Sequence, residues 1–106
     1  MHVAADRLMG RMIDESYLTF LRTKSCALCP AELAEPHHIR NRAWREVKRN
    51  DATCAPLCRE CHELVHTIGL AATLNRRGIT IWRFVETITG HLVEFFELRN
   101  RAEVGI

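Results

Sequence analysis

The sequence lacks any long apolar run. No stretch approaches the roughly 20 consecutive apolar residues that a transmembrane helix needs, so no membrane partner is expected. The first ten residues carry charges where the apolar core of a secretory signal peptide would lie, which predicts a cytoplasmic protein. Because cytoplasmic thiols stay reduced, the five cysteines favour metal binding, and a disulfide-stapled secreted domain is not expected.

Repeats, low-complexity tracts and long linkers are also absent, and lysine is scarce. The 106 residues, 47% of them apolar, predict one domain (1–106) with a modest core. Net charge is only +2, yet thirteen of the fifteen basic residues are arginine, whose planar fork suits phosphate. Five basic residues cluster within ten positions: Arg40, Arg42, Arg45, Lys48 and Arg49. This cluster is either a solvated face or a contact surface for a polyanion.

Eight side chains of metal-ligand type occupy one window of 41 residues. Their spacing is Cys26-x2-Cys29, His37-His38 and Cys58-x2-Cys61-His62-x3-His66. A tetrahedral ion takes four ligands. The window therefore predicts either two metal sites or one site beside a catalytic histidine cluster.

The cysteine spacing predicts one structural zinc. Two Cys-x2-Cys pairs are separated by 28 residues: Cys26 with Cys29, and Cys58 with Cys61. Thiolates bind Zn²⁺ well, and the two-residue gap lets both sulfurs of a pair reach one ion. The spacing assigns no role to the fifth cysteine, Cys54.

The histidine spacing favours a second site. His62 and His66, four residues apart, share one face of a helix. Cys61 lies about 100° around that helix from His62, so cysteines and histidines can face different ions. His37 and His38 are adjacent on a predicted strand and therefore point to opposite sides.

Apolar spacing and capping residues predict an α+β fold. A helix lies within residues 1–23, capped by Asp14 or Ser16. Extended segments are predicted around His37-His38-Ile39 and from Thr53 to Leu57. Helices follow over residues 59–67 and about 69–77, the latter ending at Gly78.

A last helix is predicted from apolar residues at helical spacing, between Ile81 and Phe96. Its stripe is either core or a dimerisation face. Gly90 is expected to interrupt the helix, at about 1 kcal/mol relative to alanine. His91 has no partner in the sequence and is expected on the surface.

The ligand window resembles HNH endonucleases of the zinc-knuckle type, notably phage- and prophage-associated members. The resemblance rests on the first cysteine pair, on Glu35-Pro-His-His-Ile-Arg40, and on Asp51 through Pro56-Leu-Cys-Arg59 to His66. It covers about residues 16–70 and implies a ββα-metal (His-Me finger) core there. A helix would precede this core, and residues 71–106 would form a C-terminal helical extension.

The resemblance also implies a site. His38 would be the general base that activates water for attack on DNA. His37 and His62, with His66 as a third ligand in some members, would hold a catalytic divalent ion such as Mg²⁺ or Mn²⁺. The basic cluster would bind DNA phosphates. Thr53 occupies the position of the family's asparagine, which normally helps to orient the general base.

One other function remains open, and a further one is disfavoured. A non-catalytic, zinc-stabilised nucleic-acid-binding or adaptor module is supported by Thr53 at the asparagine position. A zinc deaminase is similar in its Pro56-x-Cys58-x-x-Cys61 segment, but it requires an upstream His-x-Glu that residues 37–40 do not provide.

Overall fold

The computed structural model describes residues 4–6, 11–39 and 50–103 of the chain. Within these ranges, four helices and two two-stranded antiparallel sheets form a small mixed α+β fold, which confirms the predicted class. The elements are β1 (Ala4–Asp6), β2 (Arg11–Ile13), α1 (Glu15–Leu21), β3 (Glu35–His38), β4 (Cys54–Leu57), α2 (Arg59–Ile68), α3 (Leu70–Arg77) and α4 (Ile81–Glu103). A 3₁₀ turn, Asp51–Thr53, leads into β4.

The β3–β4 hairpin and α2 form one structural unit. Glu35 lies opposite Leu57, and His38 lies opposite Cys54. Every residue of β4 is buried, whereas β3 is exposed or half-buried. Since Cys58 follows β4 directly and is the N-cap of α2, the strand continues into the helix without a loop. Both predicted extended segments and the predicted helix are therefore confirmed, to within one or two residues.

Helix α1 begins at Asp14, which resolves the choice between two predicted caps. The Asp14 carboxylate accepts hydrogen bonds from the backbone N–H groups of Ser16 and Tyr17. Arg99 of α4 donates to the same carboxylate at 3.0 Å, and both side chains are less than a tenth exposed. The start of α1 is thereby tied to the C-terminal helix.

The β1–β2 hairpin is not predicted from the sequence. Its strands are three residues each, with Ala4 paired to Ile13 and Asp6 to Arg11. An alternating pattern needs about four to eight residues to be recognisable. Strands this short therefore carry too little periodicity to be predicted.

Helix α4 packs on two clusters of buried residues. One surrounds the cysteines and includes Leu28, Leu57 and Phe84. The other lies on α1, where the ring centroids of Tyr17 and Phe95 are 5.1 Å apart. Because Phe84 and Phe95 both belong to α4, this helix joins the two halves of the core.

The apolar stripe of α4 is only partly core. Phe84 and Phe95 are buried, but Ile81 and Val85 are each 47% exposed. The apolar residues cover a wider arc of the helix than the underlying clusters can bury.

Three other expectations for the C-terminal region have mixed outcomes. Helix α3 ends as predicted at Gly78, whose φ of 71° is left-handed. Contrary to expectation, α4 continues unbroken through Gly90. His91 is half-buried rather than on the open surface, and burial, aided by the Lys24 charge, lowers its pKa.

None of the helices that the structure describes is long and apolar enough to cross a membrane.

Replacing Asp14 by alanine should lower the free energy of unfolding by at least about 3 kcal/mol. The loss combines the helix cap, worth about 1 kcal/mol, with a buried Arg99 guanidinium deprived of its carboxylate, about 3–5 kcal/mol. The control Glu63→Ala removes an exposed ion pair with Arg59 and should change stability by less than about 1 kcal/mol. Urea unfolding measures both, and equal effects would contradict the role given to Asp14.

Candidate metal centres

The four predicted zinc ligands come together from two segments. Cys26 and Cys29 lie in the loop between α1 and β3, and Cys58 and Cys61 lie at the start of α2. Their sulfurs all lie within 4.8 Å of one another, and the Sγ atoms of Cys29 and Cys58 are 3.6 Å apart. A tetrahedral zinc with Zn–S bonds of about 2.3 Å separates its sulfurs by about 3.8 Å. The four cysteines could therefore hold a metal ion such as zinc.

Backbone hydrogen bonds hold the two segments in place. The N–H of Ala27 donates to the carbonyl of Pro56 on β4 at 2.7 Å, which fastens the first cysteine pair to the hairpin. The N–H of Cys61 points at the Cys58 sulfur at 3.5 Å. Donors aimed at sulfur favour the thiolate, which is the form that binds metal.

The thiols also act on one another's protonation. Burial raises the pKa of the Cys29 and Cys61 thiols. At Cys58 burial also acts upward, but hydrogen bonds from the Cys61 N–H and from the neighbouring thiols outweigh it, so that the pKa is lowered. Thiols packed this closely cannot all ionise without a cation, and bound zinc would replace their protons. No two of the five cysteines are joined by a disulfide bond.

Arg77 adds a positive charge beside the cysteines that the sequence analysis did not identify. Its guanidinium lies 2.9 Å from a carboxylate oxygen of Glu60, and this bond, together with the nearby Cys61 thiol, raises the Arg77 pKa. A zinc ion with four thiolates carries two net negative charges. Arg77 would offset part of that charge. Only the folded arrangement shows this role, because Arg77 lies sixteen positions after Cys61 in another helix.

Three of the four predicted histidines form a second cluster. His37 projects from β3, and His62 and His66 project from α2. The Nε2 atoms of His62 and His66 are 3.0 Å apart, and the His37 ring centroid lies 4.3 Å from that of His62 and 5.1 Å from that of His66. One nitrogen from each ring lies within 4.8 Å of the other two. Three convergent imidazoles of this kind can hold a divalent ion and leave further coordination positions for water or substrate.

The fourth histidine, His38, lines a cleft that is also lined by His37 and His66 of the second cluster. The cleft has a volume of about 590 Å³. Its lining residues are Pro36, His37, His38, Ile39, Val65, His66, Gly69 and Leu70. A substrate in this cleft would therefore contact His38 together with His37 and His66, two members of the three-histidine cluster.

His38 is bonded to a buried carboxylate. Its Nε2 lies 2.8 Å from Oδ1 of Asp51, and Asp51 is fully buried. The sulfur of Cys54, the cysteine without an assigned role, lies within 4.8 Å of both partner groups. Asp51 is thirteen residues from His38 in the sequence, so no local spacing links them. The sequence offered one indication of this bond, which is that Asp51 is an acidic residue just before the predicted strand.

Thr53, at the position assigned to the family's asparagine, holds the turn together. Its hydroxyl donates to the carbonyl of Asn50 at 2.9 Å, and its own carbonyl accepts from the N–H of Ile39 at 3.0 Å. The side chain that hydrogen-bonds to His38 is that of Asp51.

The basic cluster lies outside the described residues. This applies to all five predicted DNA-contacting side chains: Arg40, Arg42, Arg45, Lys48 and Arg49. Their assignment to DNA phosphates stays a prediction.

The fold and the cysteine cluster define a small α+β protein whose clustered cysteines could hold a metal such as zinc. Residues 8–72, more than half of the chain, match a family described as "Protein of unknown function (DUF968)", and the chain belongs to that family. It is also similar to the uncharacterized protein YdfU of Escherichia coli (strain K12), with 32% identity over 59 residues. The match covers 54% of this chain and 17% of YdfU, so the chain spans only a small part of that relative. No solved structure matches.

These matches correct the family expected from the sequence. The chain matches DUF968 and YdfU, and neither match carries an HNH endonuclease signal, so the assignment to that family was wrong. The resemblance rested on short ligand spacings. Two Cys-x2-Cys pairs and nearby histidines recur in many unrelated metal-binding proteins, because any chain that binds zinc meets the same geometric requirement.

We expect purified protein to hold one zinc per chain through mild chelation, and Cys58→Ser to abolish that retention. Structural zinc contributes about 10–16 kcal/mol in small peptides, comparable to the net stability of about 5–15 kcal/mol of a whole domain. The variant should therefore also lose structure around α2. Metal analysis and circular dichroism provide the measurements.

The matched control is Cys54→Ala, which removes a buried thiol outside the four-cysteine cluster and should retain the zinc. Zinc loss from both variants, or from neither, would contradict the assignment of the four ligands.

Proposed function

We propose that this chain is a metal-dependent nuclease that hydrolyses DNA phosphodiester bonds. In this proposal β3, β4 and α2 act as a ββα-metal unit within a core of about residues 16–70, and residues 71–106 form a helical extension. One observation carries the proposal: a single cleft is lined by two of three clustered imidazoles, His37 and His66, and by a fourth imidazole, His38, that is bonded to a buried carboxylate. Hydrolysis of a phosphodiester needs both a cationic group at the phosphate and a base for water.

The residues available for the cation are His37, His62 and His66. Neutral imidazoles are common ligands of divalent transition metals. A divalent ion bound there would stabilise negative charge on the scissile phosphate and on the leaving oxygen. Because His37 and His66 line the cleft, a phosphate bound in the cleft would lie beside the three-histidine cluster.

His38 is the proposed general base. Its ring is about a third exposed, so water can reach it, and Asp51 holds it from behind. His38 would take a proton from a water molecule as the water oxygen bonds to phosphorus. The bond from phosphorus to the 3′ oxygen then breaks, and solvent protonates that oxygen. The products would carry 5′-phosphate and 3′-hydroxyl ends.

The remaining groups would support this chemistry without taking part in it. A structural zinc on the four cysteines would hold the loop after α1 against α2 and the hairpin. The basic cluster of residues 40–49 directly follows the strand that carries His37 and His38. Arginine-rich segments bind phosphates without reading sequence. DNA is therefore the proposed partner.

The direct test is cleavage of supercoiled plasmid by the zinc-loaded protein with Mg²⁺, Mn²⁺ or another divalent ion. We expect nicking or cutting, and a loss of about 10²–10⁴-fold in rate for His38→Ala, the usual contribution of a general base. His91→Ala, which removes a half-buried histidine outside the cleft, is the matched control and should keep full activity.

DNA binding without cleavage under any divalent ion would overturn the nuclease proposal. It would favour the non-catalytic nucleic-acid-binding or adaptor module. A His38→Ala variant that cuts as fast as the wild type would remove His38 from the mechanism.

A second divalent ion should bind to the zinc-loaded protein, and His62→Ala should weaken that binding by more than about 100-fold. Loss of a mere outer-shell partner of a metal ligand costs about 10–100-fold in affinity, so loss of a ligand should exceed that range. Calorimetric titration with Mn²⁺ measures the effect, with His91→Ala again as the control. Equal affinities in the wild type and His62→Ala would show that the three histidines do not hold the ion.

A further inference from the structure

We propose that Asp51 fixes the tautomer of His38, so that Nε2 carries the ring proton and Nδ1 is left to accept a proton from water. The inference rests on the proposed function for its catalytic consequence. The tautomer itself can be measured without any cleavage assay. Asp51 would thus be a positioning residue, acting on substrate only through His38.

The hydrogen bonds of Asp51 determine the direction of the proton. Oδ1 lies 2.8 Å from Nε2 of His38, and Oδ2 accepts the backbone N–H of Asp14 at 2.6 Å. An ionised carboxylate can only accept hydrogen bonds. Neutral imidazole has one donor and one acceptor nitrogen, so the nitrogen that faces Asp51 must be the donor.

Asp51 has little freedom to turn away. Its partner N–H belongs to Asp14, whose own side chain caps α1 and pairs with buried Arg99. The 3₁₀ turn that carries Asp51 is capped by Asn50, whose side-chain oxygen also accepts the N–H of Met12 at 3.2 Å. The carboxylate is therefore braced by β2, α1 and, through Arg99, α4. A buried group held in this way can impose its hydrogen-bond pattern on a ring that is itself a third exposed.

Replacing Asp51 by asparagine should change the group that faces His38 from a hydrogen-bond acceptor to a donor. The amide has nearly the shape of the carboxylate but has one oxygen and one NH₂ group. If the NH₂ group faced Asp14, two donors would meet in a buried site, which costs about 1–3 kcal/mol. The backbone N–H cannot become an acceptor, whereas the imidazole can exchange its tautomer. The NH₂ group should therefore face His38 and force the ring proton onto Nδ1.

The experiment records ¹⁵N spectra of histidine-labelled, zinc-loaded protein at about pH 8.5, where an ordinary imidazole is neutral. His38→Ala assigns the His38 signals. The wild type should show a protonated Nε2 and a bare Nδ1, and Asp51→Asn should show the reverse. In plasmid cleavage, Asp51→Asn should lower kcat by about 10²–10⁴-fold, since Nδ1 could no longer accept a proton, while KM for DNA and zinc content stay within about twofold.

Asn50→Ala is the matched control because it weakens the same turn without touching His38. Asn50→Ala should retain the wild-type tautomer. If weakening of the turn were enough to change the tautomer, Asn50→Ala would change it as well. A wild-type His38 protonated on Nδ1, or an unchanged tautomer in Asp51→Asn, would overturn the inference. The expected tautomers in a wild type that cuts no DNA would support the positioning by Asp51 and overturn the nuclease proposal.

Discussion

The convergence of four thiols at the start of α2 brings together the loop after α1, the β3–β4 hairpin and α2. The cluster joins the loop after α1 to α2, and the Ala27–Pro56 hydrogen bond joins the same loop to β4. Burial raises the pKa of the Cys29 and Cys61 thiols, so the four thiols do not all ionise together without a cation. The arrangement therefore favours a cation among the four sulfurs. If such an ion contributes the usual 10–16 kcal/mol or so of structural zinc, it decides whether α2 lies beside the hairpin.

The two ligand sets stay apart because of helix and strand geometry. Cys61 and His62 are neighbours on α2 but differ by about 100° around its axis, so one faces the cysteine cluster and the other faces His37. The alternation of β3 separates His37, which joins the other imidazoles, from His38, which bonds to Asp51. One hairpin and one helix thus present an ion-binding group and a proton acceptor to the same cleft.

Features that depend on local spacing were predictable from the sequence. Local spacing limited the cap of α1 to Asp14 or Ser16. It also indicated the end of α3 at Gly78, the strand before Cys58 and the division between cysteines and histidines. Features created by distant contacts were not. The hydrogen bond between Asp51 and His38 joins residues thirteen positions apart. Arg77 lies near Cys61 although the two residues belong to different helices. The burial of Phe95 on α4 depends on its packing against α1.

The HNH family assignment failed for a related reason. Ligand spacing reports which side chains can share an ion, and it says little about the ancestry of the chain around them. Only the wider match over residues 8–72 revealed the DUF968 family. The chemistry proposed for the cleft consequently depends on the geometry of its own side chains.

We propose that seven of the eight ligand-type residues divide into a sulfur site of four cysteines and a separate nitrogen site of three histidines, and that His38 belongs to neither. X-ray absorption at the zinc and manganese edges, on protein loaded with one equivalent of each ion, tests it most directly. We predict a zinc shell of sulfur alone, at about 2.3 Å, and a manganese shell of nitrogen and oxygen alone. A mixed sulfur–nitrogen shell around either ion would contradict it.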